Sequence, residues 1–124
     1  MPARVRLRRE VLVVPESAFR YLQVTTTLEH RADAERIAND ALESRLAACA
    51  RIEGPFASRY HWKGALESAD EWSCVLKTTA AAYGRLERRI VALHPYETPE
   101  IVALPIVAGS AAYLAWIDSV VRVE

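Results

Sequence analysis

Glycine and cysteine are both scarce in this chain, with four and two copies in 124 residues, and each shortage excludes a class of function. There is no Gly-rich loop to cradle phosphates. Two cysteines, Cys49 and Cys74, are too few for a disulfide scaffold, and no CxxC pair offers structural zinc spacing. Neither sign of charge is in surplus: sixteen Lys plus Arg balance sixteen Asp plus Glu. No overall field therefore draws the chain to nucleic acid, a membrane or an acidic substrate. No apolar run approaches the roughly 20 residues of a membrane helix, and Val11 to Pro15 is too short for a signal-peptide core. The expectation is a soluble, cytoplasmic protein with reduced thiols.

Hydrolase motifs are missing as well. No Ser-His-Asp set stands in recognisable context, and neither HExxH nor a hydrolase carboxylate pair occurs. The chain is expected not to be an enzyme. Its length suits one domain that buries about 65% of the surface of its unfolded form. Arg4, Arg6, Arg8 and Arg9 outnumber the acidic groups of residues 1–19 by two, and this segment reads as a partly disordered N-terminal extension to a domain at 20–124.

What is present is patterned. Tyr21 to Thr26 is rich in aromatic and β-branched residues and predicts a first strand, after which Thr27 offers a helix N-cap. Ala34, Ile37, Ala38, Ala41, Leu42 and Leu46 share one face at helical period, predicting an amphipathic helix to about Ala47. A second strand starts near Ala48 and alternates at Ser58, Tyr60 and Trp62, with a bend or bulge at Gly54-Pro55. Lys63-Gly64 predicts a tight turn into a third strand, Leu66 to Thr78, in which Trp72, Cys74 and Leu76 share a face. Such a ribbon exposes edges and needs a partner surface.

Tyr83, Leu86, Ile90 and Leu93 mark a second helix that His94-Pro95 ends. Ile101 to Ile106 is a fourth strand, held to an edge or terminus by Pro105. Ser110 caps a short last helix. The order predicts an α+β, ferredoxin-like β-α-β-β-α-β sandwich with an antiparallel sheet, a long β2-β3 ribbon and an added C-terminal helix.

The densest chemistry lies in His94-Pro95-Tyr96-Glu97-Thr98-Pro99-Glu100, where two prolines stiffen a turn bearing an imidazole, a phenol and two carboxylates. His94 suits a structural cap, a polar ligand or a metal. At a helix C-terminus the macrodipole would favour its protonated form. Cys49 suits a small buried hydrophobe, or a thiolate that joins His94 in binding a soft ion such as copper. Cys74 reads as core. Lys77 suits a solvated charge, an ion pair with Glu97 or Glu100, or an anion contact. Tyr60, Trp62 and Trp72 suit subunit packing or an aromatic stacking platform.

Taken together, these segments resemble the CutA family of divalent-cation tolerance proteins over about residues 20 to 121. The matching pieces are Leu46-Ala47-Ala48-Cys49, Ser58-x-Tyr60-x-Trp62-x-Gly64, Glu71 with Leu76-Lys77-Thr78, the His94 to Ile101 turn, and Tyr113-Leu114-x-Trp116. The resemblance implies a homotrimer that associates with divalent cations, copper above all, without a required cofactor. It implies metal donors at Cys49, His94, Glu97 and Glu100, and an inter-subunit cleft at Tyr60, Trp62, Lys77 and Tyr96. It also implies a likeness to PII signalling proteins, so a small anionic ligand in that cleft is the alternative. Two positions depart from the family pattern: Glu29 stands where members often have proline, and Thr26 where some have cysteine. Residues 1–19 lie outside the resemblance.

Overall fold

The computed structural model describes residues 19–122, so the extension expected at 1–19 falls almost wholly outside the described residues. The elements are β1 (Tyr21–Leu28), α1 (Arg31–Glu43), β2 (Cys49–Trp62), β3 (Ala65–Thr79), α2 (Ala80–Leu93), β4 (Ile101–Pro105) and α3 (Ala111–Val120). They form one antiparallel sheet in the order β2-β3-β1-β4, which is the α+β, ferredoxin-like arrangement expected from the sequence.

Alternation along the strands sorts the side chains into two faces. Val24, Thr26 and Leu28 of β1 and Cys74, Leu76 and Thr78 of β3 are buried on one face, where Ile37, Ala41, Leu86 and Ile90 of α1 and α2 cover them. Tyr21, Lys77 and Cys49 have the opposite parity, and α3 meets them there: the Tyr21 hydroxyl donates to Asp118, and Tyr113 approaches Cys49 and Lys77. Beyond α3 that second face is open, with Val102 46% and Leu104 58% exposed.

Thr27 does not cap α1. It remains in β1 opposite Ser73, because Leu28 beyond it is fully buried opposite Trp72 and extends the strand. The cap is His30, in extended geometry, whose carbonyl accepts from Asp33 and Ala34 N–H. The helix also stops earlier than its apolar pattern suggests. Arg45 takes a φ of 57°, and Leu46 and Ala47 fold back to bond the Ala41 carbonyl, so Leu46 stays in the core without being helical.

The expected bulge is present between Glu53 and Phe56, at a cis Gly54-Pro55 bond. Gly54 has φ 139°, and a Cβ there would stand 2.9 Å from the Glu71 carbonyl oxygen. Glycine is required at this position by both conformation and space. Lys63 and Gly64, with φ of 48° and 80°, close the ribbon in the left-handed geometry that short hairpins use. Among the described residues β4 pairs with β1 alone, as Pro105 requires of an edge strand.

Candidate functional site

The turn after α2 is built on His94. Pro95 holds its backbone extended at ψ 132°, which ends the helix and swings the imidazole back under the sheet, where the residue is 8% exposed. One ring nitrogen, Nε2, lies 2.9 Å from the Thr27 carbonyl oxygen, which only accepts, so Nε2 carries the hydrogen. The other, Nδ1, accepts the Tyr96 N–H at 3.2 Å. The ring is therefore the neutral Nε2–H tautomer with both nitrogens engaged. Burial lowers its pKa below the usual imidazole value, outweighing the Thr27 carbonyl and the Asp33 and Glu71 charges that act the other way. This corrects the expectation that the helix end would favour the protonated ring.

Tyr96 packs edge-on against His94, with ring centroids 4.7 Å apart, and its hydroxyl donates to Glu71 Oε2 at 2.7 Å. Burial, followed by the hydrogen bond and charge of Glu71, pushes the phenol pKa well up. Glu71, on β3, is only 6% exposed. The result is a chain of contacts from β1 through His94 and Tyr96 to β3.

Against this chain lies an open cleft of about 820 Å³ between the turn and the ribbon. Tyr60, Trp62, Glu71, Tyr96, Glu97 and Glu100 line it, along with Arg59 and His61. Of the residues singled out from sequence, Tyr60, Trp62, Tyr96, Glu97 and Glu100 gather here, with His94 directly beneath.

Cys49 and Lys77 do not join them. They pair across β2 and β3 at the other end of the sheet, where Cys49 Sγ is 3.5 Å from the Tyr113 hydroxyl and Lys77 Nζ is 5.9 Å from the centroid of that ring. Within one chain, Cys49 and His94 therefore do not converge. The anticipated pairing of Lys77 with Glu97 or Glu100 is also absent, since Lys63 of the ribbon turn reaches Glu97 at 3.5 Å instead. Among the described residues, no three or more His, Cys, Asp or Glu side chains are grouped to hold a metal ion.

Glu71 and Tyr113 had no assigned role in the sequence reading, although both belong to the segments that carried the resemblance. Glu71 stands beside Asp70 and four residues after Glu67 in the same strand, so nothing local sets it apart from exposed carboxylates. The Thr27 carbonyl that fixes His94 carries no sequence signal, because every residue has one.

Comparison with known proteins agrees with this architecture. The family described as CutA1 divalent ion tolerance protein matches residues 22–120. The divalent-cation tolerance protein CutA of Thermus thermophilus is 43% identical over 94 residues, 76% of this chain and 91% of that protein. The Arabidopsis thaliana protein CutA, named as chloroplastic, is 31% identical over 95% of this chain and 62% of its own length. The solved structure of the divalent cation tolerance protein from Thermus thermophilus superposes with a TM-score of 0.80 at 39% identity, covering 82% of this chain and 99% of that one. With the sheet order, the His94 turn and a match over nearly the whole folded region in agreement, this chain belongs to the CutA1 divalent ion tolerance family.

Proposed function

We propose that this protein is a non-enzymatic homotrimer of divalent-cation tolerance that binds copper or another divalent cation at a site completed between copies of the chain. The observation that carries this reading is the separation of donors. Two carboxylates, Glu97 and Glu100, stand at the cleft, the Cys49 thiol lies at the other end of the sheet, and no three-donor group forms among the described residues of one chain. A cation held by three or four protein donors would draw the missing ones from a second copy. The partly uncovered sheet face and the long edge strand β2 supply surface for such assembly, since unpaired edges call for cover.

Within this reading, His94 serves the site chiefly by shaping the turn. Ligation through Nδ1 would take the acceptor away from the Tyr96 N–H. The carboxylates cost less: Glu97 would give up only its exposed contact with Lys63. The two unpaired thiols support a reducing compartment such as the cytoplasm.

The test is the mass of the purified protein by light scattering together with a copper competition titration. A trimer with a fixed copper ratio, weakened by Cys49→Ala and by Glu97→Gln with Glu100→Gln, agrees with the proposal. A monomer that binds copper equally well, or variants with unchanged affinity, would refute it.

The cleft's size favours one alternative. About 820 Å³ with aromatic walls lies within the range of small-molecule sites, which suits a PII-like ligand-sensing trimer. Lys77, the cation expected to hold an anionic metabolite, pairs with Cys49 across β2 and β3, so an assembly that carries one of them to the cleft carries the other, and position alone does not separate the two readings. A metabolite that raises Tm in the presence of chelator would favour it over the metal site.

A further inference from the structure

On the helical face, away from the cleft, a groove of about 420 Å³ runs between the end of α1 and α2. It is lined by Arg85, Arg88 and Arg89 of α2 and by Asp40 and Ser44 of the α1 end. The three arginines stand at positions i, i+3 and i+4, which places them on one side of the helix. Like charges at that spacing repel, so the arrangement is unfavourable without a counter-charge.

Among the described residues, only one of the three guanidinium groups is matched. Arg89 makes a two-pronged contact with Asp40, Nε to Oδ2 at 2.7 Å and Nη2 to Oδ1 at 2.6 Å, which occupies both oxygens of the one carboxylate lining the groove. Arg88 lies back along its own helix, with Nη1 3.6 Å from where a Cβ on Gly84 would stand. Arg85 is the unusual member. Its Nη1 is buried, with no hydrogen-bond partner among the described residues. Arg85 lines the groove while its Nη1 is sealed from solvent, so its remaining guanidinium donors are the ones an occupant of the groove can reach.

We infer that this groove is a binding site for a phosphate group, free or carried by a nucleotide, with Arg85 and Arg88 as its donors and Arg89 held in place by Asp40. Guanidinium forks match the geometry of a phosphate, and a dianion would offset the two cations that Asp40 leaves unmatched. The site lies on α1 and α2, across the sheet from the open face, so assembly through that face leaves it accessible. It does not depend on the cation reading.

The test titrates inorganic phosphate, then ATP, into the full-length protein at constant ionic strength set with chloride. Binding is followed calorimetrically and by Tm. Saturable binding that Arg85→Gln weakens by about tenfold or more supports the inference, as expected for loss of a charged hydrogen bond. Arg88→Gln, at an exposed position, should weaken it too and serves if Arg85→Gln fails to fold. Tighter binding of ATP than of phosphate assigns the site to a nucleotide, and equal binding assigns it to the phosphate alone; either supports the inference. Unchanged affinity in a folded variant, or a Tm rise that chloride reproduces, overturns it. The Glu97→Gln, Glu100→Gln protein should bind phosphate as the parent does, which separates this site from the cleft.

Discussion

Tyr96 donates its hydroxyl hydrogen to Glu71, 2.7 Å away and 25 residues earlier in the chain, and this one bond ties the turn after α2 to the third strand. Glu71 is nearly buried, so the phenol is the partner that makes a carboxylate tolerable there. The same tyrosine gives its backbone N–H to His94. Loss of the hydroxyl and loss of the imidazole therefore act on the same turn from opposite sides.

Replacing Tyr96 by Phe should cost about 1–3 kcal/mol, the usual penalty for a buried polar group left without its partner. Urea denaturation at fixed chain concentration measures it. Adding Glu71→Gln to Tyr96→Phe should recover part of the loss, because a neutral amide is cheaper to bury than a charge. An unchanged midpoint for Tyr96→Phe would show that Glu71 is satisfied by water instead.

The two ribbon glycines should differ in their tolerance of a side chain. Gly64→Ala has open space around it and meets only the left-handed conformation, a cost of about 1–2 kcal/mol. Gly54→Ala meets an unfavourable φ as well as the Glu71 carbonyl at 2.9 Å, a backbone atom that cannot swing aside. It should lose clearly more stability and, by shifting Glu71, disturb the Tyr96 contact. Equal losses in thermal melts of the two variants would show that the ribbon yields at the bulge.

Much of this fold was legible because its signals are local. Alternation at Ser58, Tyr60 and Trp62, the Lys63-Gly64 turn, the Pro95 helix stop and the Ser110 cap are each set by neighbours a few residues away, and each is found in the structure. The errors arose where tertiary contacts overrode local preference. Thr27 is a good cap by type, yet pairing with Ser73 keeps it in β1. The site was half legible for the same reason. Tyr96, Glu97 and Glu100 are fixed by one stiff turn, so they gather as their spacing suggests, whereas bringing Cys49 to His94 required a register that sequence does not reveal. Lys63 reaches Glu97 because the long ribbon lies beside the turn, a relation between segments far apart in the chain.

Thiol chemistry should separate the cysteines. Burial pushes the Cys74 thiol up to about 12, which leaves almost no thiolate at neutral pH and no access for a reagent. Cys49 is only half-buried. Native protein should therefore label at Cys49 alone, and Cys74 should react only after denaturation. Mass spectrometry of tryptic peptides after brief iodoacetamide treatment reads this directly. Modification of native Cys74 at a comparable rate would mean that the sheet and helix layers open readily.

His94 makes stability depend on pH in a direction that follows from its burial. Its folded-state pKa lies below the ordinary value of about 6.5, because burial disfavours the charged ring more than the Thr27 carbonyl and the nearby carboxylates favour it. Between the folded value and about 6.5, the unfolded chain binds more protons than the folded one. The contribution of the neutral ring is therefore fully present above pH 6.5 and is lost as pH falls through the folded value. Urea midpoints should decline from pH 7.5 toward pH 5, and the difference between the parent and His94→Ala should narrow over the same interval. Carboxylates whose folded pKa is lowered, such as Asp40 beside Arg89, act in the same direction at lower pH, so the variant is needed to isolate the imidazole. An imidazole titration by NMR that places His94 above 6.5 would reverse the sign and require a charged ring, with Nδ1 released from Tyr96 and the turn rebuilt around it.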